Sequence, residues 1–269
     1  MSKLLVKADR GQGRIAHVTP ETAGWTYVGF DLHRLAPGET VLEGTGDREV
    51  CLVFVTGKGN ATAGDEDFGL LGQRMSPFEG KPWSLYVPEG SRWSVTAQTE
   101  LELAVCSAPG LGGGLPARVI SPDDLSQETR GKGTNTRYVT NILPEGEPAD
   151  SLLVVEVITP GGHTSSYPPH KHDRDDLPAE SYLEETYYHR LNPSQGFAFQ
   201  RVYTDADASG ARELDEVMAV EDGDVTLVPK GYHPCAACHG YDLYYLNVMA
   251  GPKRTWKFHN APEHEWLLK

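Results

Sequence analysis

Short apolar or alternating segments recur along the chain, and glycine, proline or aspartate bounds most of them. Runs of this length that are rich in β-branched and aromatic residues predict strands, whereas long amphipathic helical patterns are scarce. The predicted strands are Val50–Thr56, Leu85–Val87, Leu101–Cys106, Leu152–Thr159, Glu185–Arg190, Phe197–Tyr203, Asp224–Val228 and Leu243–Met249. The pattern therefore predicts an all-β protein with few short helices.

The strand pattern is interrupted between Ala108 and about Gly146, where GLGGGLP, SPDD and the polar run SQETRGKGTNTR occur. Clusters of glycine, proline and polar residues are typical of a connection between domains. The SPDD motif also predicts a short helix that begins after Ser121. Because 269 residues suffice for two medium domains, we expect an N-terminal domain over residues 1–125 and a C-terminal domain over residues 126–269.

The two halves share a faint internal repeat. Each contains a strand, then Pro-x-Gly, then a bulky ring: the first has YVPEGSRW, ending at Trp93, and the second has LVPKGYH, ending at His233. A repeated unit of this kind indicates a duplicated β-barrel. Because indole cannot ligate a metal, we expect the first barrel to be degenerate and without metal, with Trp93 in its core.

The charge balance of the chain indicates which kinds of partner the protein can bind. A formal net charge of −14 argues against nucleic-acid binding, which depends on Lys and Arg at the phosphate backbone. No apolar run has the length of a signal-peptide core or a membrane span, so we expect a cytoplasmic protein with no membrane partner. The four cysteines do not form a disulfide framework, although Cys235 and Cys238 are closely spaced and their role is left open.

Histidines concentrate in the second half, and His170 and His172 are the densest pair. Residues two apart in a strand face the same side, so both imidazoles can enter one cavity. A carboxylate from the next strand and His233 would complete a mixed nitrogen and oxygen metal site. Strand parity allows only one of Glu184 and Glu185 to face inward.

The phrases around these residues resemble a known family. GGHTSSYPPHKH, a following glutamate strand and GDVTLVPKGYH resemble the metal signature of the cupin superfamily. SSYPPHKHD, LEETYYHRLNPSQGFAFQRVYTD and GYDLYYLNVMAGP are similar to the 5-deoxy-glucuronate isomerases of myo-inositol catabolism, which are two-domain cupins related to 4-deoxy-5-hexulose-uronate isomerases. The close match runs from about Leu152 to Trp266, and the first half resembles the family in layout.

The resemblance implies a bicupin, that is, two β-barrel (double-stranded β-helix) domains, and an aldose–ketose isomerisation of a small uronate. It implies a divalent metal held by His170, His172, Glu185 and His233, matched position by position. Zinc suits this ligand set, with manganese or iron(II) as alternatives. The insert Asp173–Leu183 exceeds the common cupin spacing and must loop out, so Glu184 remains an alternative to Glu185.

Further residues are candidates for chemistry if they face the metal. The acid–base candidates are Tyr187, His189 and Tyr244. The substrate carboxylate needs a cation, for which the candidates are Arg201 first, then Lys171 and Arg190. Two other functions compete with the isomerase: an iron(II) cupin dioxygenase and a non-catalytic sugar-binding cupin. Formation of a homo-oligomer is left open.

Overall fold

The computed structural model describes residues 2–268, which form strands joined by short turns. The strands up to residue 120 are β1 (Leu5–Val6), β2 (Gly13–Val18), β3 (Gly29–Leu35), β4 (Thr40–Gly44), β5 (Arg48–Thr56), β6 (Gly59–Ala63), β7 (Glu66–Leu71), β8 (Trp83–Val87), β9 (Arg92–Ala97), β10 (Leu101–Pro109) and β11 (Arg118–Ile120). The later strands are β12 (Ser126–Arg130), β13 (Arg137–Leu143), β14 (Leu153–Thr159), β15 (Thr164–Ser165), β16 (His170–Lys171), β17 (Asp173–Asp176), β18 (Glu180–Tyr182), β19 (Glu184–Asn192), β20 (Phe197–Tyr203), β21 (Asp215–Glu221), β22 (Val225–Val228), β23 (Cys235–Ala237), β24 (Asp242–Ala250) and β25 (His259–Asn260).

The described helices are short: α1 (Pro20–Ala23) and three 3-10 helices, Pro122–Asp124, Gly133–Asn135 and Pro262–Leu268. None of these helices has the length and hydropathy needed to cross a bilayer. The helix predicted after Ser121 is present, and the Ser121 hydroxyl caps it by accepting the backbone N–H of Asp123. The prediction of an all-β protein with few short helices is confirmed.

Each predicted strand lies within a strand of the structure, apart from single residues at the ends, and Phe197–Tyr203 coincides with β20. The segment predicted as a connection, by contrast, contains strands β11, β12 and β13. Strand β12 has the sequence SQETR and is largely exposed at the edge of its sheet, next to β13. Because an exposed edge strand needs backbone pairing and no apolar side chains, its sequence resembles that of a loop.

The chain divides into two compact units by its internal contacts. The N-terminal unit consists of residues 9–126 and 140–155, and the C-terminal unit of residues 2–8, 127–139 and 156–268. The chain therefore crosses between the units after residues 8, 126, 139 and 155, and the predicted boundary between residues 125 and 126 lies one residue from the second of these crossings. Residues 2–8 belong to the C-terminal unit because β1 pairs with β22, with Leu5 opposite Thr226.

The N-terminal unit is built on a six-stranded sheet, in the order β11-β8-β5-β10-β3-β2, and a four-stranded sheet, in the order β4-β9-β6-β7. Alternate residues of β5 and β10 enter a shared apolar core, where Phe54 lies opposite Leu103 and Leu52 opposite Val105. Trp93 packs in the same core and is 1% exposed. The prediction that Trp93 is a core residue is confirmed.

Glu49 anchors the segment 140–155 to the rest of the N-terminal unit. Its fully buried carboxylate accepts the backbone N–H groups of Asp150, Ser151 and Leu152 at 2.7, 2.6 and 2.6 Å. It also accepts the hydroxyl of Tyr86 at 2.6 Å. Four donors to one carboxylate offset the cost of burying its charge.

The C-terminal unit contains the main part of a seven-stranded sheet, in the order β1-β22-β19-β24-β14-β13-β12, and a four-stranded sheet, in the order β15-β23-β20-β21. Two-stranded ribbons join β16 to β25 and β17 to β18. The acidic insert Asp173–Leu183 contains the hairpin formed by β17 and β18, in which Asp173 lies opposite Tyr182.

The strand register shows that the two units carry different residues at the equivalent position before the Pro-x-Gly turn. Glu185 on β19 lies opposite Val228 on β22, just before the Pro-x-Gly turn. The matching pair in the N-terminal unit is Val50 on β5 opposite Val87 on β8, also just before Pro-x-Gly. Valine offers no ligand atom, so the N-terminal unit has no donor where the C-terminal unit has Glu185.

Replacing Glu49 by glutamine should destabilise the protein, because the amide nitrogen cannot accept the backbone N–H groups that the carboxylate binds. We expect Glu49→Gln to lower the free energy of unfolding by about 3 kcal/mol, measured by urea denaturation with tryptophan fluorescence. The control is Glu100→Gln, which changes an exposed glutamate. Equal denaturation midpoints for Glu49→Gln and the control would show that the anchor contributes nothing.

Candidate metal centre

Three of the predicted ligands converge in the C-terminal unit. One ligand atom from each of His172, Glu185 and His233 lies within 4.8 Å of the others, and all three residues are buried. Nε2 of His172 contacts Oε1 of Glu185, and Nε2 of His233 lies 3.6 Å from Oε2. Among residues 2–268, this is the one group of His, Cys, Asp and Glu side chains close enough to share an ion.

Backbone carbonyls orient both imidazoles. Nδ1 of His172 lies 3.1 Å from the carbonyl of Leu183, and Nδ1 of His233 lies 2.9 Å from the carbonyl of Gly231. Because a carbonyl oxygen only accepts, each Nδ1 carries a proton, and each Nε2 of the neutral ring presents a lone pair. Both Nε2 atoms are buried, and the carboxylate of Glu185 lies beside each of them. This is the arrangement that protein ligands of a metal adopt.

The turn that delivers His233 depends on glycine. Gly231 has φ of +89°, and a Cβ at this position would overlap the carbonyl oxygen of Tyr203. Only glycine combines this backbone conformation with so close an approach. The Pro-x-Gly-x-His motif therefore fixes where the His233 ring enters the cavity.

The electrostatics of the cluster fit a bound cation. Burial raises the pKa of Glu185, but the neighbouring His172 and His233 outweigh that effect and lower it to about 2. Burial opposes charge on His172, but the adjacent carboxylate outweighs that effect and raises the pKa of His172. The buried carboxylate thus requires a neighbouring positive charge, which a divalent metal held by Glu185 and the Nε2 atoms of the neutral imidazoles would supply.

His170 lies beside the three converging residues. Its ring centroid is 4.9 Å from that of His233 and 6.4 Å from that of His172. Burial lowers the pKa of His170 well below its ordinary value, so its ring is neutral and able to ligate. Its ligand atom is not within 4.8 Å of the other three. The role of His170 as the fourth ligand stays a prediction.

Of the two adjacent glutamates, the structure brings Glu185 to the cluster. Glu184 precedes it on β19 and therefore points to the opposite face of the sheet. Asn247 on β24 supports the choice, because its side-chain amide donates to Oε2 of Glu185 at 3.2 Å. Sequence reasoning did not identify Asn247, whose face is defined only once β24 is paired with β19.

Tyr187 shares the inner face of β19 with Glu185. Its ring centroid is 5.8 Å from that of His233, and its hydroxyl lies 3.2 Å from the hydroxyl of Ser166. Ser166 has φ of +51°, a left-handed conformation that a serine adopts only at a cost in strain. Burial raises the pKa of Tyr187 well above its ordinary value, so the hydroxyl keeps its proton.

His189 lies one step further along the same face, where it is fully buried. Its Nε2 is 3.0 Å from Oε1 of Gln200 and 3.2 Å from the hydroxyl of Thr226. Burial lowers the pKa of His189 to about 4, so the ring is neutral at pH 7. The ring stacks on Tyr187 at 6.0 Å between centroids, which places Tyr187 between His189 and His233.

The structure does not bring Tyr244 to the site. Tyr244 lies opposite Arg190, on the other face of the sheet, where its hydroxyl donates to Glu156 at 3.0 Å. The tyrosine on the inner face is the next one, Tyr245, which lies opposite His189, with its ring centroid 4.8 Å from that of Tyr187. Two adjacent tyrosines cannot be told apart until the register of β24 is known.

The three predicted substrate cations also lie away from the cluster, each paired with carboxylates. Arg201 binds Asp215 through Nε and Nη2 at 2.8 and 2.7 Å, Arg190 binds Asp222 at 2.8 Å, and Lys171 binds Asp173 at 2.7 Å and Asp205 at 2.9 Å. Arg201 points away from the cluster because neighbouring side chains of a strand lie on opposite faces of the sheet. Gln200 points inward to His189, so its neighbour Arg201 points outward, beside the exposed Phe199.

A cavity of about 660 Å³ opens beside His170. Its lining includes His170, Tyr167, Phe258 and three cations, Arg130, Lys132 and Arg137. The cations come from RGKGTNTR, the run that sequence reasoning treated as part of a connection. The sequence feature that could have identified these cations is the grouping of basic residues in an otherwise acidic chain.

The cysteine pair contributes no ligand to the cluster. Cys235 and Cys238 are free thiols, and Cys235 is buried in β23. Burial raises the pKa of Cys235 to about 12, so its thiol is protonated at pH 7.

Comparison with known proteins identifies the family. The KduI/IolB family model matches residues 4–267. The chain belongs to the KduI/IolB family. This KduI/IolB member is similar to the 5-deoxy-glucuronate isomerase of Geobacillus kaustophilus, with 54% identity over 272 residues that cover 100% of this chain and 96% of the relative. It is 49% identical to that of Bacillus licheniformis over 276 residues, which cover 100% of both chains.

Solved structures agree with the fold of this KduI/IolB member. The crystal structure of an IolB-like protein from Salmonella typhimurium LT2 superposes with a TM-score of 0.96, at 54% identity and over 100% of both chains. The oxalate decarboxylase of Lactobacillus farciminis superposes with a TM-score of 0.65 over 98% of this chain and 90% of its own. At 12% identity the second likeness concerns the fold alone. The prediction of a bicupin fold is confirmed.

The cluster predicts how metal binding responds to mutation. His172→Ala and His233→Ala each remove one of two converging lone pairs, so we expect the bound metal, about one ion per chain in the purified protein, to be lost from both variants. Metal content is measured by inductively coupled plasma mass spectrometry, with circular dichroism as the check on folding. His239→Ala, at an exposed position, is the control. Folded variants that keep a full equivalent of metal would disprove the site.

Proposed function

We propose that this chain is a metal-dependent aldose–ketose isomerase that converts 5-deoxy-D-glucuronate to 5-dehydro-2-deoxy-D-gluconate in myo-inositol catabolism. The observation that carries the proposal is end-to-end similarity, at 54% identity, to a protein named 5-deoxy-glucuronate isomerase. The buried cluster beside a cavity supports it, because isomerisation needs a site that both binds a sugar and stabilises developing charge. The compartment that we propose is the cytoplasm.

His172, Glu185 and His233 would hold the metal, with His170 as the fourth ligand. Zinc suits this mixture of imidazole and carboxylate, and manganese and iron(II) are alternatives. When bound, a divalent cation supplies electrophilic stabilisation of the oxyanion that develops as hydrogen moves between neighbouring carbons.

Tyr187 is the residue that we assign to proton handling at the substrate oxygens. Isomerisation moves one hydrogen from the hydroxyl-bearing carbon to the aldehyde carbon and one from that hydroxyl to the aldehyde oxygen. The Tyr187 ring lies beside His233, and its protonated hydroxyl could donate to the oxygen that becomes a hydroxyl. Ser166 orients that hydroxyl at 3.2 Å, and the neutral His189 positions the Tyr187 ring from behind.

The activity is tested directly by incubating the metal-replete protein with 5-deoxy-D-glucuronate and following ketose formation by NMR. We expect conversion without oxygen uptake, and loss of conversion after treatment with a chelator. Binding without conversion would favour a non-catalytic sugar-binding cupin. Oxygen-dependent turnover by the iron-loaded protein would favour the cupin dioxygenase instead.

The role of Tyr187 is tested by Tyr187→Phe, which removes one hydroxyl from the inner face of β19. We expect kcat to fall by about 100-fold or more, while KM and metal content stay close to those of the wild type. Tyr244→Phe is the matched control, because it removes the same atom from the other face of the sheet. If both variants lose kcat to the same extent, the effect is structural and Tyr187 has no role in proton transfer.

A further inference from the structure

Arg137 differs from the other candidate cations in its surroundings. It begins β13 and lines the 660 Å³ cavity together with His170. Its Nη1 donates to the carbonyl oxygens of Asn135 and Tyr167, both at 3.1 Å. These two bonds hold the guanidinium from one side and leave the edge formed by Nε and Nη2 unused.

Among residues 2–268, no carboxylate forms a direct ion pair with this guanidinium. In this part of the chain, no carboxylate lies within 4.0 Å of Arg137, and no acceptor binds its Nε or Nη2. Arg201, Arg190 and Lys171 are all paired with aspartates. Burial lowers the pKa of Arg137, yet an arginine side chain stays protonated, so a positive charge without a partner lies in the cavity wall.

Arg137 lies close to the proposed metal centre. Arg137 and His170 line the same cavity, and His170 lies next to His233 with 4.9 Å between their ring centroids. An anion bound at Arg137 would therefore lie in the cavity that His170, the proposed fourth ligand, also lines. Ligand cavities commonly measure about 300–1,000 Å³, so 660 Å³ accommodates a six-carbon uronate.

The loop before Arg137 is shaped to hold it. Gly131 has φ of +80°, and a Cβ there would overlap the carbonyl oxygen of Asn135. The Asn135 side chain in turn accepts the backbone N–H of Lys132 at 2.7 Å. The turn therefore closes tightly around Asn135, whose carbonyl fixes Arg137. Arg130, at the start of this turn, is already paired with Glu128 at 2.6 Å.

We infer that Arg137 binds the carboxylate of the substrate and selects uronates over neutral sugars. The inference rests on the proposed function, because it assigns the acidic end of the proposed substrate. The Nε and Nη2 edge of a guanidinium matches the two oxygens of a carboxylate, which gives a bidentate pair. Arg137 is thus a specificity residue that binds the end of the substrate opposite to the one that reacts.

The test compares two substrates and three variants. For 5-deoxy-D-glucuronate we expect Arg137→Gln to raise KM by about 10- to 100-fold with kcat little changed, and Arg137→Lys to give an intermediate KM. Arg201→Gln, the same type of substitution at an exposed arginine, should leave KM unchanged. The second substrate is the corresponding aldehyde with a hydroxymethyl group in place of the carboxylate, and its kcat/KM should be the same in wild type and Arg137→Gln.

Equal loss for both substrates in Arg137→Gln would show a structural role and overturn the inference, as would an unchanged KM for the uronate. If the wild type converts no 5-deoxy-D-glucuronate, the proposed function fails, and calorimetry with D-glucuronate and D-glucose tests Arg137 separately. Glucuronate binding that is weaker in Arg137→Gln than in Arg201→Gln supports the inference. Equal binding by these variants, or no binding to the wild type, overturns it.

Discussion

Glu185 is a buried carboxylate with a buried imidazole on either side, and the need to stabilise its charge determines the arrangement around it. An ionised carboxylate without partners would cost several kcal/mol at such depth. The backbone carbonyls that bind Nδ1 of His172 and His233 orient both rings so that their Nε2 atoms face the carboxylate. The remaining stabilisation must come from a donor or a cation. Asn247 supplies one donor, and a divalent metal would satisfy the rest.

The N-terminal unit has a different residue at the strand position equivalent to Glu185. Val50 occupies the register position of Glu185, and the charged residue lies one place earlier, at Glu49. A shift of one residue turns a strand side chain to the other face. There the carboxylate of Glu49 binds three backbone N–H groups and Tyr86. The duplicated architecture thus places a buried glutamate in the proposed metal centre of one unit and uses another as a structural anchor in the other unit.

The sequence was informative wherever one face of a strand is apolar or a motif fixes the backbone. Central strands such as β20 could be predicted because their side chains are buried, and His172 and His233 because HxH and Pro-x-Gly-x-His fix their geometry. Edge strands such as β12 could not be predicted, because pairing through the backbone does not require a particular pattern of exposed side chains. The choice between Tyr244 and Tyr245 depends on cross-strand register, which the sequence of one strand does not contain.

The sequence also does not show which charged side chains form ion pairs with one another. Arg201, Lys171 and Arg137 are equally charged, but the first two form ion pairs with aspartates, whereas no carboxylate of the described residues lies within 4.0 Å of Arg137. A proposed substrate with a carboxylate at one end and an aldehyde at the other could bind a metal site by either end. Because oxygen anions are good metal ligands, a uronate would otherwise bind the metal through its carboxylate and leave the aldehyde unreacted. The proposed role of Arg137 would remove that choice, since its guanidinium would offer the carboxylate a bidentate partner and leave the proposed metal to the reacting end.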